Sequence, residues 1–273
     1  MKILIPMAGA GSRFLEKGYK EHKATLPMIY RKTGEVCPMV VCAVKDLPEI
    51  EKDGENIIFI MRDFHKEDGM DEKIREWFSG SKFIIVDHLT EGQACTCLLA
   101  EEYVDMEDEL LIAACDNGIE YEIEKYLKAK TKYDALIFTY RNNAKVLDNP
   151  NAYGWVDVDE NNSVKRVSVK KTISDNPTQD HAIVATFWFK KGKTFIEAVD
   201  KMIKENDRVN NEFYIDQVGN HLIELGYRVG VFEVERFLNY GTPEDYENNF
   251  KMLKNFQELL DWQGEENELS FRN

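Results

Sequence analysis

Short apolar runs alternate with stretches of helical length through the first half of the chain. Residues 2–7, 56–62, 82–88, 109–115 and 134–140 are rich in Ile, Val, Leu and Phe, the texture of strands buried on both faces. Between them, 38–47 opens on a proline at a first-turn position, and 71–78, 93–104 and 120–131 carry apolar residues at three and four spacing, as helices with one buried face do. Alternation of this kind predicts an α/β fold with a mainly parallel sheet covered by helices. After Pro150 the pattern shortens: 153–159 and 163–169 flank Glu160-Asn161-Asn162 as a hairpin would, and 182–189 continues as strand. Helical patterns at 193–206 and 212–225, a strand at 227–234 and a last helix from 243 to about 260 follow, and the polar tail 263–273 is expected to fray.

Neither an internal repeat nor a low-complexity linker interrupts this series. The expectation is one domain over 1–262, with a nucleotide-binding half at 1–145 and an acceptor-binding half at 146–262.

Composition then narrows the chemistry. With 273 residues, 43% hydrophobic and 31% charged, the chain can bury a substantial core. The amino terminus turns glycine-rich at once and no run reaches membrane-spanning length, which predicts a cytoplasmic protein. Five cysteines lie inside apolar segments, which suits reduced core thiols better than disulfides or a zinc ribbon. A net charge of −15 opposes nucleic acid and anionic membranes as partners. An anionic substrate therefore requires a local cationic site. Asn161-Asn162-Ser163 matches a glycosylation acceptor, a chance match in a cytoplasmic chain.

The first strand runs straight into Met7-Ala8-Gly9-Ala10-Gly11-Ser12-Arg13-Phe14. Glycines let backbone approach an anion, and successive N–H groups can line a phosphate, so Met7, Ala8, Gly9, Ala10, Gly11 and Ser12 are candidate nucleotide-binding residues. Phe14 stands where a dinucleotide fingerprint needs a small residue, and no Gly-Lys-Ser/Thr follows, so both familiar glycine motifs fail. What remains is a phosphate loop ending in Arg13, whose guanidinium can grip phosphates by paired hydrogen bonds. A plain strand-to-helix turn with a solvated arginine is the competing reading.

Together these pieces resemble the sugar-phosphate nucleotidyltransferase family, whose sheet shares the broad architecture of GT-A glycosyltransferases. The family pattern Gly-x-Gly-Ser/Thr-Arg is met by Gly9 to Arg13, and its following lysine by Lys23, with Ala24 in place of proline. Thr90-Glu91-Gly92-Gln93-Ala94 resembles the base-recognising turn, which implies Glu91, Gly92 and Gln93 as nucleotide contacts. Ala114-Cys115-Asp116 resembles the Gly-Asp pattern whose aspartate binds magnesium; capping a helix is the alternative for Asp116.

Tyr153-Gly154 resembles the acceptor-facing segment, and Val169-Lys170-Lys171-Thr172 resembles Glu-Lys-Pro with Lys171 at the lysine position; solvated edge-strand lysines are the alternative. Asn210-Asn211-Glu212 and Leu238-Asn239-Tyr240-Gly241-Thr242-Pro243 complete the match. The resemblance implies Gly154, Lys170, Lys171 and Glu212 on the acceptor, and Arg13, Lys23 and Asp116 as catalytic residues. Asn239 stands where many members have a second metal-binding aspartate.

It further implies a Mg2+-dependent transfer of a nucleotidyl group from an NTP to a small phosphorylated acceptor, with release of pyrophosphate. The Pro6-to-Phe14 opening is similar to a capsule-pathway branch that includes CTP:phosphoglutamine cytidylyltransferase, which favours CTP. Two other classes remain open: a GT-A glycosyltransferase, which lacks its Asp-x-Asp here because Asp116-Asn117-Gly118 does not supply one, and a non-catalytic nucleotide sensor.

Overall fold

The computed structural model describes residues 1–270, with side chains through Glu258. Thirteen strands form in chain order: β1 (Lys2–Pro6), β2 (Pro27–Ile29), β3 (Val36–Pro38), β4 (Ile57–Arg62), β5 (Lys82–Val86), β6 (Leu110–Ala113), β7 (Asn117–Glu120), β8 (Ala135–Tyr140), β9 (Gly154–Val158), β10 (Val164–Val169), β11 (His181–Phe189), β12 (Val229–Glu233) and β13 (Arg236–Asn239). Nine of them build one sheet in the order β10-β9-β11-β6-β1-β4-β5, with β8 pairing β11 and β12 outside that path.

The run β6-β1-β4-β5 is parallel and so is β8-β12, while β11 lies antiparallel to β6, β8 and β9. The parallel run is the α/β core that the alternation predicts, and the whole is the Rossmann-like mixed sheet that the family resemblance implies. Strands β1, β4 and β6 are apolar through their centres because both faces are covered: one side buries Ile3, Ile5, Phe59 and Leu111, the other Leu4, Ile58, Ile60 and Ile112, while the edge strand β5 is only partly buried.

Strand β11 carries the feature that opens a crevice. Its register against β8 shifts between Ile183 and Phe187, and Ala185 takes φ 53, a β-bulge. On one side of the bulge β11 pairs with β6, and on the other with β9. The end of β6 thus loses its neighbour just where the chain passes to Asp116. The crevice falls at the carboxyl ends of parallel strands, the usual ligand position in such sheets.

Where the periodicity misleads, long-range contacts are the cause. The helix expected at 212–225 begins only at Val218 and ends at Glu224. Upstream of it, Phe213 N–H donates to the Glu91 carbonyl at 2.8 Å, and its own carbonyl accepts from Ala94 N–H at 3.1 Å, so 212–214 is held extended. The helix expected at 93–104 shortens to Gln93–Leu98. That expected at 71–78 is the shorter Met70–Arg75, and a separate short helix, Asp63–Glu67, precedes it. The last helix spans Pro243–Ser270, past the expected end near 260, and 271–273 lie outside the described residues. Among the described residues no helix is long and apolar enough to cross a membrane.

One buried charge ties the β2-β3 hairpin to this frame. The Asp46 side chain is 1% exposed and pairs with Arg31, while Arg31 also donates to the Ile119 carbonyl at 2.7 Å and Asp46 accepts from Ile119 N–H at 3.2 Å. Removing Arg31 leaves the Asp46 charge buried with only the longer contact to Lys32 at 3.5 Å, and a buried charge stripped of its main partner is far costlier than never having had the pair. Arg31→Met is expected to destabilise the protein by about 3 kcal/mol, read as a lower urea midpoint at unchanged denaturant slope; an unchanged midpoint would show that Asp46 does not depend on Arg31.

Candidate active site

Leaving β1, the chain enters the glycine turn. Gly11 adopts φ 64 and caps the short helix Ser12–Glu16, a left-handed position that suits glycine. Space is limiting there too: a Cβ on Gly11 would lie 3.2 Å from His22 Nε2. His22 packs against His65, ring centroids 3.9 Å apart, and the next residue along is Lys23, which opens the 3-10 turn Lys23–Thr25. The histidine pair therefore supports both the loop and the start of the lysine turn.

Across the crevice, Asp116 meets that lysine. Lys23 Nζ lies 2.5 Å from Asp116 Oδ2, each side chain 22% exposed. Burial works against both charges; each group nevertheless keeps its charge because the other is there, so the Asp116 carboxyl is held below the usual carboxylate range and the Lys23 ammonium above its ordinary one. Asp116 is fixed from behind by the β7-β13 ribbon, whose register sets Asn239 opposite Asn117, and by Tyr240 N–H donating to the Asp116 carbonyl at 2.9 Å. As a result Asp116 Oδ2 and Asn239 Oδ1 each come within 3.1 Å of where a Cβ on Gly241 would stand.

Two clefts meet at Asp116. One, of about 620 Å³, is lined by Met7 to Gly11, Lys23, Glu91 to Gln93, and Asn210 to Glu212. Its wall depends on Gly92, which takes φ 135; a Cβ there would come within 2.5 Å of the Phe213 backbone. The second, of about 790 Å³, is lined by Arg13, Lys145, Tyr153, Lys170, Asn239 and Asp245 among others. Asp116 and Asn210 border both.

The arrangement differs from the sequence expectation at several residues. Lys170 adopts φ 60 at the end of β10, donates to the Ala152 carbonyl at 2.6 Å and faces the second cleft. Lys171 is exposed and lines neither cleft, because the left-handed turn at Lys170 places the first lysine inside and carries the chain outward. Glu212 borders the glycine-loop cleft instead of the second one.

Gly154 is buried and lines neither cleft; a Cβ there would strike Asp216 Oδ2 at 2.2 Å, so it makes room for that carboxylate. Asp216 is pushed up to about 6 by burial, against the opposing pull of Lys170, and burial lowers Lys170. Ser12 is exposed and lines neither cleft, while its neighbour Arg13 lines the second, where its Nη1 donates to the Gly241 carbonyl at 3.3 Å. Glu91 is paired with Arg208 at 2.9 Å.

Sequence reasoning passed over Lys145, Asp245, Asn210 and His22. The Lys145–Asp245 ion pair joins residues a hundred positions apart, so no local pattern announces it. Asn210 carried a readable signal: Asn210 and Asn211 both take positive φ, 50 and 64, a conformation asparagine tolerates better than most residues.

A Rossmann-like sheet with a glycine turn and a strand-end carboxylate facing one crevice defines the chain as an α/β protein of the nucleotidyltransferase class. The sequence matches the family described as nucleotidyl transferase over residues 2–254, and the chain belongs to that family. A bifunctional protein GlmU of Alkaliphilus metalliredigens is 22% identical over 245 residues, covering 87% of this chain and 48% of that protein. The chain thus spans about half the length of the curated relative it matches.

Among solved structures, a nucleoside-diphosphate-sugar pyrophosphorylase from Vibrio cholerae superposes with a TM-score of 0.70 at 18% identity, over 91% of this chain and 99% of the other. The inositol-1-phosphate CTP transferase of T. maritima gives 0.62 at 16% identity, over 93% and 96%. HddC from Yersinia pseudotuberculosis, complexed with GMP-PN, gives 0.59 at 17% identity, over 92% and 98%. At these identities the likeness is one of fold.

Two predictions follow from the loop supports. Gly92→Ala is expected to displace the 91–94 turn from Phe213 and lower the melting temperature, whereas Gly9→Ala, with nothing within 4 Å of its Cβ position, is expected to leave it unchanged; equal melting of the two variants would contradict the geometry. Burial lowers His22 to about 3 and His65 to about 4, so the fold favours the neutral rings and the unfolded chain binds the extra protons. Their contribution is complete above about pH 6.5 and is lost as pH falls through 4 towards 3. The denaturation midpoint is expected to drop over that window, and less steeply in His65→Gln, which keeps a side-chain acceptor for the Arg62 N–H that His65 Nδ1 now receives at 3.2 Å.

Proposed function

We propose that the protein transfers the nucleotidyl group of an NTP to a small phosphorylated acceptor and releases pyrophosphate. The observation that carries this reading is the convergence of the two clefts on one half-buried carboxylate, with Lys23 on one side and Arg13 and Lys170 on the other. A triphosphate would occupy the glycine-loop cleft, its phosphates against the backbone of residues 7–12 and its base against Glu91, Gly92 and Gln93. The acceptor phosphate would lie in the second cleft. On this reading the front half, 1–145, supplies most nucleotide contacts and the rear half, 146–262, most acceptor contacts. Lys170 takes the acceptor role by position, with Gly154 acting through Asp216 and Glu212 moving to the nucleotide side.

An acceptor phosphate oxygen attacks the α-phosphorus in line; the new P–O bond forms as the bond to the bridging α–β oxygen breaks, and pyrophosphate leaves along the glycine turn, on the side away from the second cleft. No general base is needed, since a phosphate oxygen is a nucleophile near neutral pH. The chain's part is positioning and charge: Lys23 and the glycine turn hold the triphosphate, and Arg13 and Lys170, from the second cleft, hold the second anion near reacting distance.

The oxygen donors at the cleft junction fit Mg2+. Asp116 Oδ2 and Asn239 Oδ1 are hard ligands facing the same point, and although Asn239 Oδ1 accepts from Gly241 N–H at 3.0 Å, an amide oxygen keeps a second lone pair. The chemistry supplied there is neutralisation of charge on phosphate oxygens.

The similarity of the Pro6-to-Phe14 opening to cytidylyltransferases of surface-polysaccharide pathways favours CTP and a role in building capsule or related precursors. Pyrophosphate release from four NTPs against a panel of sugar phosphates, phosphocholine and phosphoglutamine, with magnesium, tests the whole reading. Product is expected only when NTP and acceptor are both present, whereas a sensor would bind without turnover. Arg13→Ala and Asp116→Ala are expected to cut turnover at least about a hundredfold, the scale of losing one transition-state electrostatic partner; near-normal rates in both folded variants would defeat the assignment.

A further inference from the structure

Away from both clefts, one imidazole is arranged as a metal ligand. His221 lies on the helix Val218–Glu224, its side chain 2% exposed. Its Nε2 sits 2.9 Å from Asp207 Oδ2. A carboxylate only accepts, so Nε2 carries the proton and donates it to Asp207, which itself is steadied by Gln217 Nε2 at 2.6 Å. Nδ1 is then left facing the other way, buried and without a hydrogen-bond partner.

What it faces is two carboxylates, Glu205 Oε2 and Glu224 Oε2, each 3.6 Å away. That distance is too long for a hydrogen bond from a protonated Nδ1. It is close to the edge of a tetrahedral zinc site, where ligands about 2.1 Å from the ion stand about 3.4 Å from one another. The three ligand atoms all lie within 4.8 Å of each other. Behind them stands the carboxylate-to-histidine hydrogen bond that commonly orients a metal-bound imidazole.

From this geometry we infer that His221 Nδ1, Glu205 and Glu224 form a binding site for a divalent transition metal of the zinc type, distinct from the cleft where magnesium is proposed. None of the three lines either cleft. One imidazole and two carboxylates suit zinc, whereas magnesium favours all-oxygen octahedral sites. Glu205 and Glu224 are half exposed, so the site opens to solvent and leaves a coordination position for water.

Lys201 pairs with Glu205 through Oε1 and with Glu224 through Oε2, so it competes directly for the Glu224 oxygen and holds the Glu205 carboxylate by its other one. Bound metal would join the turn after the helix Gly192–Lys204 to the helix bearing His221, closing the segment that carries Asn210 and Glu212 to the cleft.

The test uses the full chain, stripped with chelator and titrated with zinc chloride in millimolar magnesium, together with crystals soaked in zinc and measured at the zinc absorption edge. The expected results are an anomalous peak between His221 Nδ1 and the two carboxylates, at least tenfold weaker zinc binding in the Glu205→Gln/Glu224→Gln double variant, and tighter binding in Lys201→Met. Circular dichroism confirms that these surface variants fold, and His221 is left intact because its burial makes its own substitution uninformative. Zinc affinity unchanged in the double variant, or anomalous signal only elsewhere, such as at Asp116 or the Cys37–Cys42 thiols, would overturn the site. Either result leaves the transferase reading untouched, since that is read by pyrophosphate release in magnesium alone.

Discussion

The ion pair between Lys23 and Asp116 holds the crevice together. Asp116 stands where β6 has lost β11 to the bulge at Ala185, so its carboxylate is half buried without a strand neighbour to satisfy it. A charge in that position persists only with a partner close by, and Lys23 is that partner. Lys23 is in turn placed by the 3-10 turn after His22, whose ring fills the space that a side chain on Gly11 would need. The glycine turn, the lysine and the aspartate are therefore one mechanical unit, although they come from three separate parts of the sequence.

The same economy recurs around both clefts. Lys145 is matched by Asp245, Lys170 by Asp216, and Arg208 by Glu91. An acidic chain can thus present several cations to one crevice without their repelling one another apart. The pairs differ in tightness: Lys145 bonds directly to Asp245, while burial shifts Lys170 and Asp216 towards their neutral forms. An ammonium that burial has already weakened gains most from the arrival of a phosphate, which supplies the negative partner that Asp216 provides only in part.

Much of the sheet was legible in the sequence because burial on both faces writes itself into uninterrupted apolar runs, as at 56–62 and 134–140. The glycine turn was legible because Gly9 and Gly11 follow a strand directly. What failed to show were features set by distant contacts. The β7-β13 ribbon fixes Asp116 through pairing between residues far apart in sequence. The extended stretch at Phe213 overrides a local helical pattern because the 91–94 turn claims its backbone groups. The choice between Lys170 and Lys171 depended on a single left-handed residue, which adjacent lysines do not reveal. Nothing in the local sequence marks Lys145 and Asp245 as partners; the fold alone brings them together.

The two halves of the chain interlock across the crevice. Arg13 and Asp116, from the front, line the cleft that contains Lys170, while Asn210 and Glu212, from the rear, line the cleft of the glycine turn. Because β11 is hydrogen-bonded to β6, β8 and β9 at once, and β9 to β10, the strand ends that carry Asp116 and Lys170 are fixed relative to one another by one sheet. For the proposed transfer between two phosphates this shared placement is central. In that reaction both reactants would be anions, and a site that fixed only one of them would leave their repulsion to push the other out of line. Shared walls mean that an anion seated in one cleft is held partly by the residues that define the other, so orientation and charge neutralisation come from the same atoms.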